Sequence, residues 1–187
     1  MIEVRPSQRM QALGIAQQGT DILSRPAAPF ALPTERDAAQ AVIDQLLATV
    51  EQVGRVHSFA KGMGLAAPQI GIQRAAALVL PPDPAAAPIG LLNPVVTAAS
   101  EQADEQYEGC LSFFDVRGMV PRPLWIEVTT TDLGGAVVTT TFESGLARLV
   151  AHEIDHLDGL LYTDRMRPGV NLIPVEEYRG TGSTWSY

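Results

Sequence analysis

The sequence predicts an α+β fold: antiparallel β-sheets packed around a central, metal-binding helix, with a further helix nearer the N-terminus. Three observations carry this expectation. An apolar stripe with 3.6-residue spacing runs through 35–59. Several short β-rich runs follow it. A second helical stripe after Ser144 contains the pattern H-E-x-x-H. Helices and strands are grouped rather than alternating, so a βαβ array is excluded.

Taken in order, residues 1–33 carry Pro6, Pro26, Pro29 and Pro33 and little periodicity, which predicts an irregular arm with a short helix at 10–17. Val42, Ile43, Leu46, Leu47, Val50 and Val53 lie on one helical face, and Thr34 is the expected N-cap of a helix over 35–59. The glycines of GMGLAAPQIG, 62–71, predict a tight loop. Strands are expected at 75–80 and 91–98, the second interrupted by Asn93-Pro94, with a proline-rich exposed loop between them. The acidic stretch 101–106 reads as a surface turn. Runs at 124–132 and 136–142 flank Leu133, Gly134 and Gly135, which predicts a hairpin. Ser144 is the expected cap of the second helix, and Gly159 suits its C′ position. Residues 170–175 read as a short extended segment.

A chain of 187 residues, 46% hydrophobic, fits one domain over 1–187 with a flexible tail at 180–187. A net charge of −8 argues against a general DNA-binding surface. No apolar run is long enough to span a bilayer, and the first residues lack the apolar core of a secretion signal. A cytoplasmic location without membrane contact is expected. Cys110 is the single cysteine and Lys61 the single lysine.

The chemistry concentrates in AHEIDHLDG, 151–159. On a helix His152 and His156 lie about 40° apart, so both imidazoles reach one cation. Glu153 is turned about 100° from His152, which suits a general base rather than an equal ligand. The bland alternative, two histidines on an ordinary surface helix, is disfavoured because apolar residues flank the motif on both sides. A third ligand is needed. His57 has no companion motif and no histidine follows His156, so Cys110 in EGCLS is the remaining candidate.

Three stretches, GMGLAAPQ at 62–69, EGCLS at 108–112 and HEIDH at 152–156, resemble in order the three signature motifs of the peptide deformylase family. The resemblance implies that Cys110, His152 and His156 bind one divalent metal ion and that Glu153 is the general acid/base. It implies that Gln69 and the Leu111 N–H meet the formyl oxygen and that Gly64 contacts the substrate backbone. Iron(II) is the metal it favours, with zinc, nickel or cobalt able to occupy the same donors. The implied substrates are formyl-methionyl peptides and nascent chains, which also implies transient ribosome association.

Around the motifs, Met63, Phe113, Phe114, Leu149 and Arg148 are candidate walls of a methionine pocket, although plain core packing is the simpler reading of Leu149, and Gly62 is a turn residue compatible with lining a substrate groove. Arg117 matches a family position near the substrate mouth. Glu108 is the candidate orienter of a ligand histidine, with Arg122 balancing its charge. The chain leaves the family pattern at Ala151, where glutamine is usual, and at Phe113-Phe114-Asp115, where an aliphatic residue and proline often follow EGCLS. Three rival readings accompany deformylation. One is a divergent paralogue acting on another formylated or acylated amine. The others are a non-catalytic binding protein and a general metalloprotease, which leaves Cys110 without a role.

Overall fold

The computed structural model describes residues 5–57, 59 and 61–181. The expected flexible tail lies outside them except for 180–181, which close a short helix. Among the described residues, four α-helices and nine strands follow in the order α1 (Pro6–Ala12), α2 (Arg36–Val56), β1 (Met63–Ala66), β2 (Ala76–Leu80), β3 (Ile89–Leu92), β4 (Val95–Ala99), β5 (Ala103–Cys110), β6 (Phe113–Pro123), β7 (Trp125–Thr131), β8 (Val137–Glu143), α3 (Ser144–Leu157), β9 (Ile173–Pro174) and α4 (Val175–Thr181). The strands form three antiparallel sheets, β1-β2-β3, β4-β7-β8 and β5-β6-β9. The fold class is α+β, as the grouping of periodicities predicts.

The central element is α3. It packs on β1 and β2 of the first sheet, β7 and β8 of the second and β6 of the third. Val150, Ile154, Leu157 and Ala147 close a core with Val79, Leu91, Ile126, Val128 and Phe142. Each of these side chains larger than alanine contributes roughly 1.5–3 kcal/mol on full burial. A second core lies under α2, where Leu46, Val50 and Val53 meet Leu65, Leu78 and Phe114. Among the described residues no helix is long and apolar enough to cross a membrane.

Several local expectations need correction. The first helix covers 6–12 instead of 10–17, because Pro6 presets its first turn and Gln8 Oε1 accepts the Arg5 N–H at 2.9 Å. Thr34 does not cap α2. Glu35 holds that position, and its carboxylate turns to the Ala31 N–H and to Arg74. That helix ends at Val56, short of residue 59. The expected loop at 62–71 is strand β1 followed by a 3-10 turn, Ala67–Ile70, in register with β2. The acidic turn at 101–106 is largely strand: Asp104 is paired with Arg148 and Glu105 with Arg167. Strand β6 carries Pro121 and Pro123, which mask it in the sequence. Strand β9 reaches only Val116 and Arg117, so the prolines sit where β6 is a sheet edge.

Ser144 is not a cap either. It is the first helical residue, at φ 51°, and its N–H donates to Leu124 O. At the other end Gly159, φ 78°, closes α3 with the paired bonds Leu160 N–H to Asp155 O and Gly159 N–H to His156 O. The break at Asn93 is real: at φ 49° it sends β3 and β4 into different sheets. The 133–135 hairpin and the short extended segment before α4 are also present.

Candidate active site

The β5–β6 hairpin and α3 build the centre together. Cys110 pairs with Phe113, leaving Leu111 and Ser112 as the two turn residues. The register shifts between Glu108 and Cys110, and both side chains are buried. Helix α3 presents His152 and His156, one turn apart, to this tip. Cys110 Sγ lies 3.1 Å from His156 Nε2, and one ligand atom from each of Cys110, His152 and His156 falls within 4.8 Å of the others. His57 is not part of the cluster; its ring packs on Phe59 and Phe114.

A buried ionic network orients the donors. Glu108, 1% exposed, contacts His152 Nδ1 at 3.0 Å and accepts two bonds from Arg122 and one from Arg148. Arg122 continues to Asp155 Oδ2, and Asp155 Oδ1 accepts from Arg165. Burial opposes the charge on Glu108, but the Arg122 and His152 partners outweigh it and hold the carboxyl far below its usual range. Because an ionised carboxylate only accepts, His152 carries its proton on Nδ1 and turns Nε2 toward Cys110.

The donor set fits a metal ion. Burial disfavours a Cys110 thiolate, yet His156 and His152 hold its pKa well below the ordinary thiol value. Burial likewise disfavours a charged His152, yet Cys110 and Glu108 hold its pKa well above the usual imidazole value. Cys110 and His152 thus contest a proton that a divalent cation would displace, binding the thiolate and the neutral imidazole in its place. Among the described residues, His156 Nδ1 and Glu153 Oε2 are buried without a hydrogen-bond partner. Burial raises the Glu153 carboxyl to about 7, against the opposing pull of the two histidines. That value suits a group that takes and returns a proton near neutrality.

Glu108, Cys110, His152 and Glu153 line a cavity of about 410 Å³, and His156 stands behind Cys110. Gly62, Met63, Gly64, Gln69, Leu111, Phe114, Arg117, Arg148 and Leu149 all line it. Phe113 does not; its ring turns to Tyr162, away from the cavity, because successive strand side chains face opposite ways. The charged head of Arg148 is engaged by Glu108, Asp104 and the Val120 carbonyl. A Cβ on Gly64 would run into the Glu153 carboxylate, so the absence of a side chain there makes room for the base. Gln69 is fully oriented: its Oε1 accepts the Ala66 N–H at 2.8 Å, and its Nε2 donates to Ser112 Oγ at 3.1 Å and faces Cys110 Sγ at 3.5 Å. Arg117 donates to Phe114 O and Val116 O and lies over the Phe114 ring.

Sequence reasoning missed Asp155, Tyr162 and most of the cavity's outer wall. Asp155 stands inside H-E-x-x-H, and a carboxylate in an apolar helix face is the signal that points to it. Tyr162 stacks on His152, ring centroids 6.1 Å apart. His57, Phe59, Lys61, Tyr107, Val175 and Tyr178 complete the wall from three separate segments, and no local pattern announces them.

The comparisons agree with this arrangement. The sequence model of the family described as "Polypeptide deformylase" matches residues 12–171. Curated relatives include a peptide deformylase 2 of Nostoc, 37% identical over 147 residues, covering 75% of this chain and 78% of the relative. A peptide deformylase of Roseiflexus castenholzii is 45% identical over 139 residues, covering 67% and 75%. Among solved structures, a Met-Ala-Ser-bound class I type b peptide deformylase from Acinetobacter baumannii superposes with a TM-score of 0.71 at 33% identity, covering 81% of this chain and 96% of that one. These matches support deformylase function rather than action on some other acylated amine. With 160 of its 187 residues inside the family match, the chain belongs to the polypeptide deformylase family.

Proposed function

We propose that this chain hydrolyses the N-formyl amide of formyl-methionyl peptides, releasing formate and a free amino terminus. The observation that carries the proposal is the shared cavity floor. There Cys110 and His152, backed by His156, converge beside a buried carboxylate and an oriented side-chain amide. Cys110, His152 and His156 hold one divalent cation. When bound, that cation supplies a Lewis acid for the formyl oxygen and acidifies water. Glu153 takes a proton from the attacking water on its unpartnered Oε2 and delivers it to the leaving amine nitrogen. The Gln69 Nε2–H and the Leu111 N–H donate to the formyl oxygen as charge develops on it, each worth about 3 kcal/mol in such a site. Glu108 holds the His152 tautomer and Arg122 holds Glu108.

Gly64 lets the substrate backbone approach Glu153, and Gly62 supports the same edge at φ 80°. Met63, Leu149 and Phe114 supply an apolar wall for the methionine side chain. Arg117 meets the peptide beyond it. The Met-Ala-Ser ligand of the Acinetobacter relative supports a peptide that begins with methionine. The proposal takes iron(II) as the native metal, a single catalytic domain over 1–187, a cytoplasmic site of action and transient contact with ribosomes.

The test is anaerobic reconstitution with iron(II), followed by assay on formyl-Met-Ala-Ser, a formyl-Leu peptide and an acetyl-Met peptide. The expected result is turnover of the formyl-Met peptide in preference to the other two. Glu153→Ala should lower turnover by about 10²–10⁴-fold, and Cys110→Ser should lose metal. Full activity in either variant would sink the mechanism.

A further inference from the structure

Helix α3 borders two separate cavities. Leu149, His152 and Glu153 line the catalytic one. Ala151, Ile154, Asp155 and Asp158, three and four residues apart on one helical stripe, border a second hollow of about 410 Å³. Among the described residues the two cavities share no lining residue. The size of the second is that of a small-molecule site, roughly 300–1,000 Å³.

The hollow exists because α3 covers its sheet only in part. In the β4–β7 ladder Val96 is paired with Val128 and Ala99 with Ile126, so the four share one face. Helix α3 seals Val128 and Ile126 into the core. Val96 and Ala99 lie on the edge strand β4, and there Val96 stays 40% exposed. Ile154, Pro121 and Pro123 extend the apolar wall from α3 and β6.

Four charged side chains border this apolar space: Arg122, Asp155, Asp158 and Arg165. Arg122 and Asp155 are buried and bonded to each other at 2.6 Å. Asp158, at the C-terminal end of α3, and Arg165, on the turn that follows, are exposed and form the rim. Arg165 spends Nε and Nη2 on Asp155 Oδ1, which leaves its Nη1 without a hydrogen bond among the described residues. The Asp158 carboxylate accepts none among them either. The two rim charges act on each other, yet no hydrogen bond joins them. With two acids and two bases, the hollow suits a ligand of no net charge. Its open groups ask for one ammonium and one carboxylate, and its walls ask for an apolar body.

We propose that this hollow binds an α-amino acid with an apolar side chain. The ammonium meets Asp158, the carboxylate meets Arg165 Nη1, and the side chain lies against Val96, Ile126 and Ile154. The site is separate from the catalytic cavity and does not depend on the reaction there.

The test is titration calorimetry on the metal-loaded protein with four probes. L-Leucine should bind once per chain with a Kd on the order of 1 mM. Leucinamide, which mimics the first residue of a peptide, lacks the carboxylate, and N-acetyl-L-leucine lacks the ammonium. Each should bind about 5-fold more weakly, the worth of a partly exposed ion pair. L-Glutamate, whose side chain is charged, should not bind. Asp158→Asn should weaken L-leucine about 5-fold. Val96→Phe and Ala151→Leu, which fill the hollow from opposite walls, should abolish binding. Turnover of formyl-Met-Ala-Ser by Asp158→Asn and Val96→Phe at the native rate would show that they are folded. L-Leucine should leave the KM for that peptide unchanged. A flat titration, equal binding of leucinamide, or full binding in both filled variants overturns the site. A KM that rises with L-leucine would place the amino acid in the catalytic cavity and overturn it too.

Discussion

Two arginine–glutamate pairs of nearly the same geometry sit in opposite surroundings. Arg122 grips Glu108 with two bonds of 2.9 Å, and their side chains are 5% and 1% exposed. Arg74 grips Glu35 with bonds of 3.1 and 2.8 Å, and theirs are 28% and 35% exposed. The first pair belongs to a network that reaches His152 and Asp155; the second ties the chain before α2 to the stretch before β2. The difference teaches that distance alone does not set the worth of an ion pair. In the interior each member exists to prevent another from being stranded without solvent. At the surface water replaces whichever partner is lost.

The comparison can be broken most directly at Arg122. Arg122→Ala leaves Glu108 and Asp155 buried with less compensation and should cost about 3–5 kcal/mol in denaturant unfolding. A loss under about 1 kcal/mol would mean that the two pairs are equivalent after all. Next in size is Glu108→Gln, which keeps the shape but loses the charge that fixes the His152 tautomer. Metal affinity, read by competition with a chelator, should fall about 10- to 100-fold; unchanged affinity would remove Glu108 from the site's support. Arg74→Ala should cost about 1 kcal/mol, combining a weak ion pair with the loss of its stacking on Phe30 at 3.9 Å. A cost equal to that of Arg122→Ala would erase the contrast.

The smallest effect is a pH dependence. The hydrogen bond from Arg74, and next that from the Ala31 N–H, lower the Glu35 pKa below its usual 4.5. A carboxyl depressed in the folded state stabilises above its unfolded pKa, and that contribution is lost as pH falls through the folded value. The melting-temperature gap between the native protein and Glu35→Gln should therefore exist at neutral pH and close in acid. A gap that widens below pH 4.5 would reverse the assigned sign.

Much of this was legible in the residues. The stripes through Leu46–Val50–Val53 and Val150–Ile154–Leu157 give both long helices, because helical spacing is a local property. Gly159 and the 133–135 turn could be read for the same reason. What failed was context. Thr34 and Ser144 are good caps by type, but Glu35 was drawn to Arg74 and Ser144 entered the helix. The strand β6 was hidden by Pro121 and Pro123, whose tolerance depends on where β9 stops. At the candidate site, the clustering of Cys110 with His152 and His156 followed from chemistry. The wall of His57, Phe59, Tyr107 and Tyr178 did not, since only the folded chain brings those segments together. Phe113 was misassigned because its neighbour Phe114, one residue on, takes the inward face.

One departure from the family pattern acquires a meaning from packing. Ala151, half-buried, borders a hollow of about 410 Å³ on the far side of α3, edged by Val95, Val96, Pro121, Arg122 and Asp155. Its neighbours have no such freedom: His152, Glu153 and His156 are enclosed, and Gly64 already yields its side-chain space to Glu153. Position 151 is therefore where the catalytic helix can change size during evolution or engineering. A longer residue there has somewhere to go, and library variants at 151 should survive far more often than those one residue along.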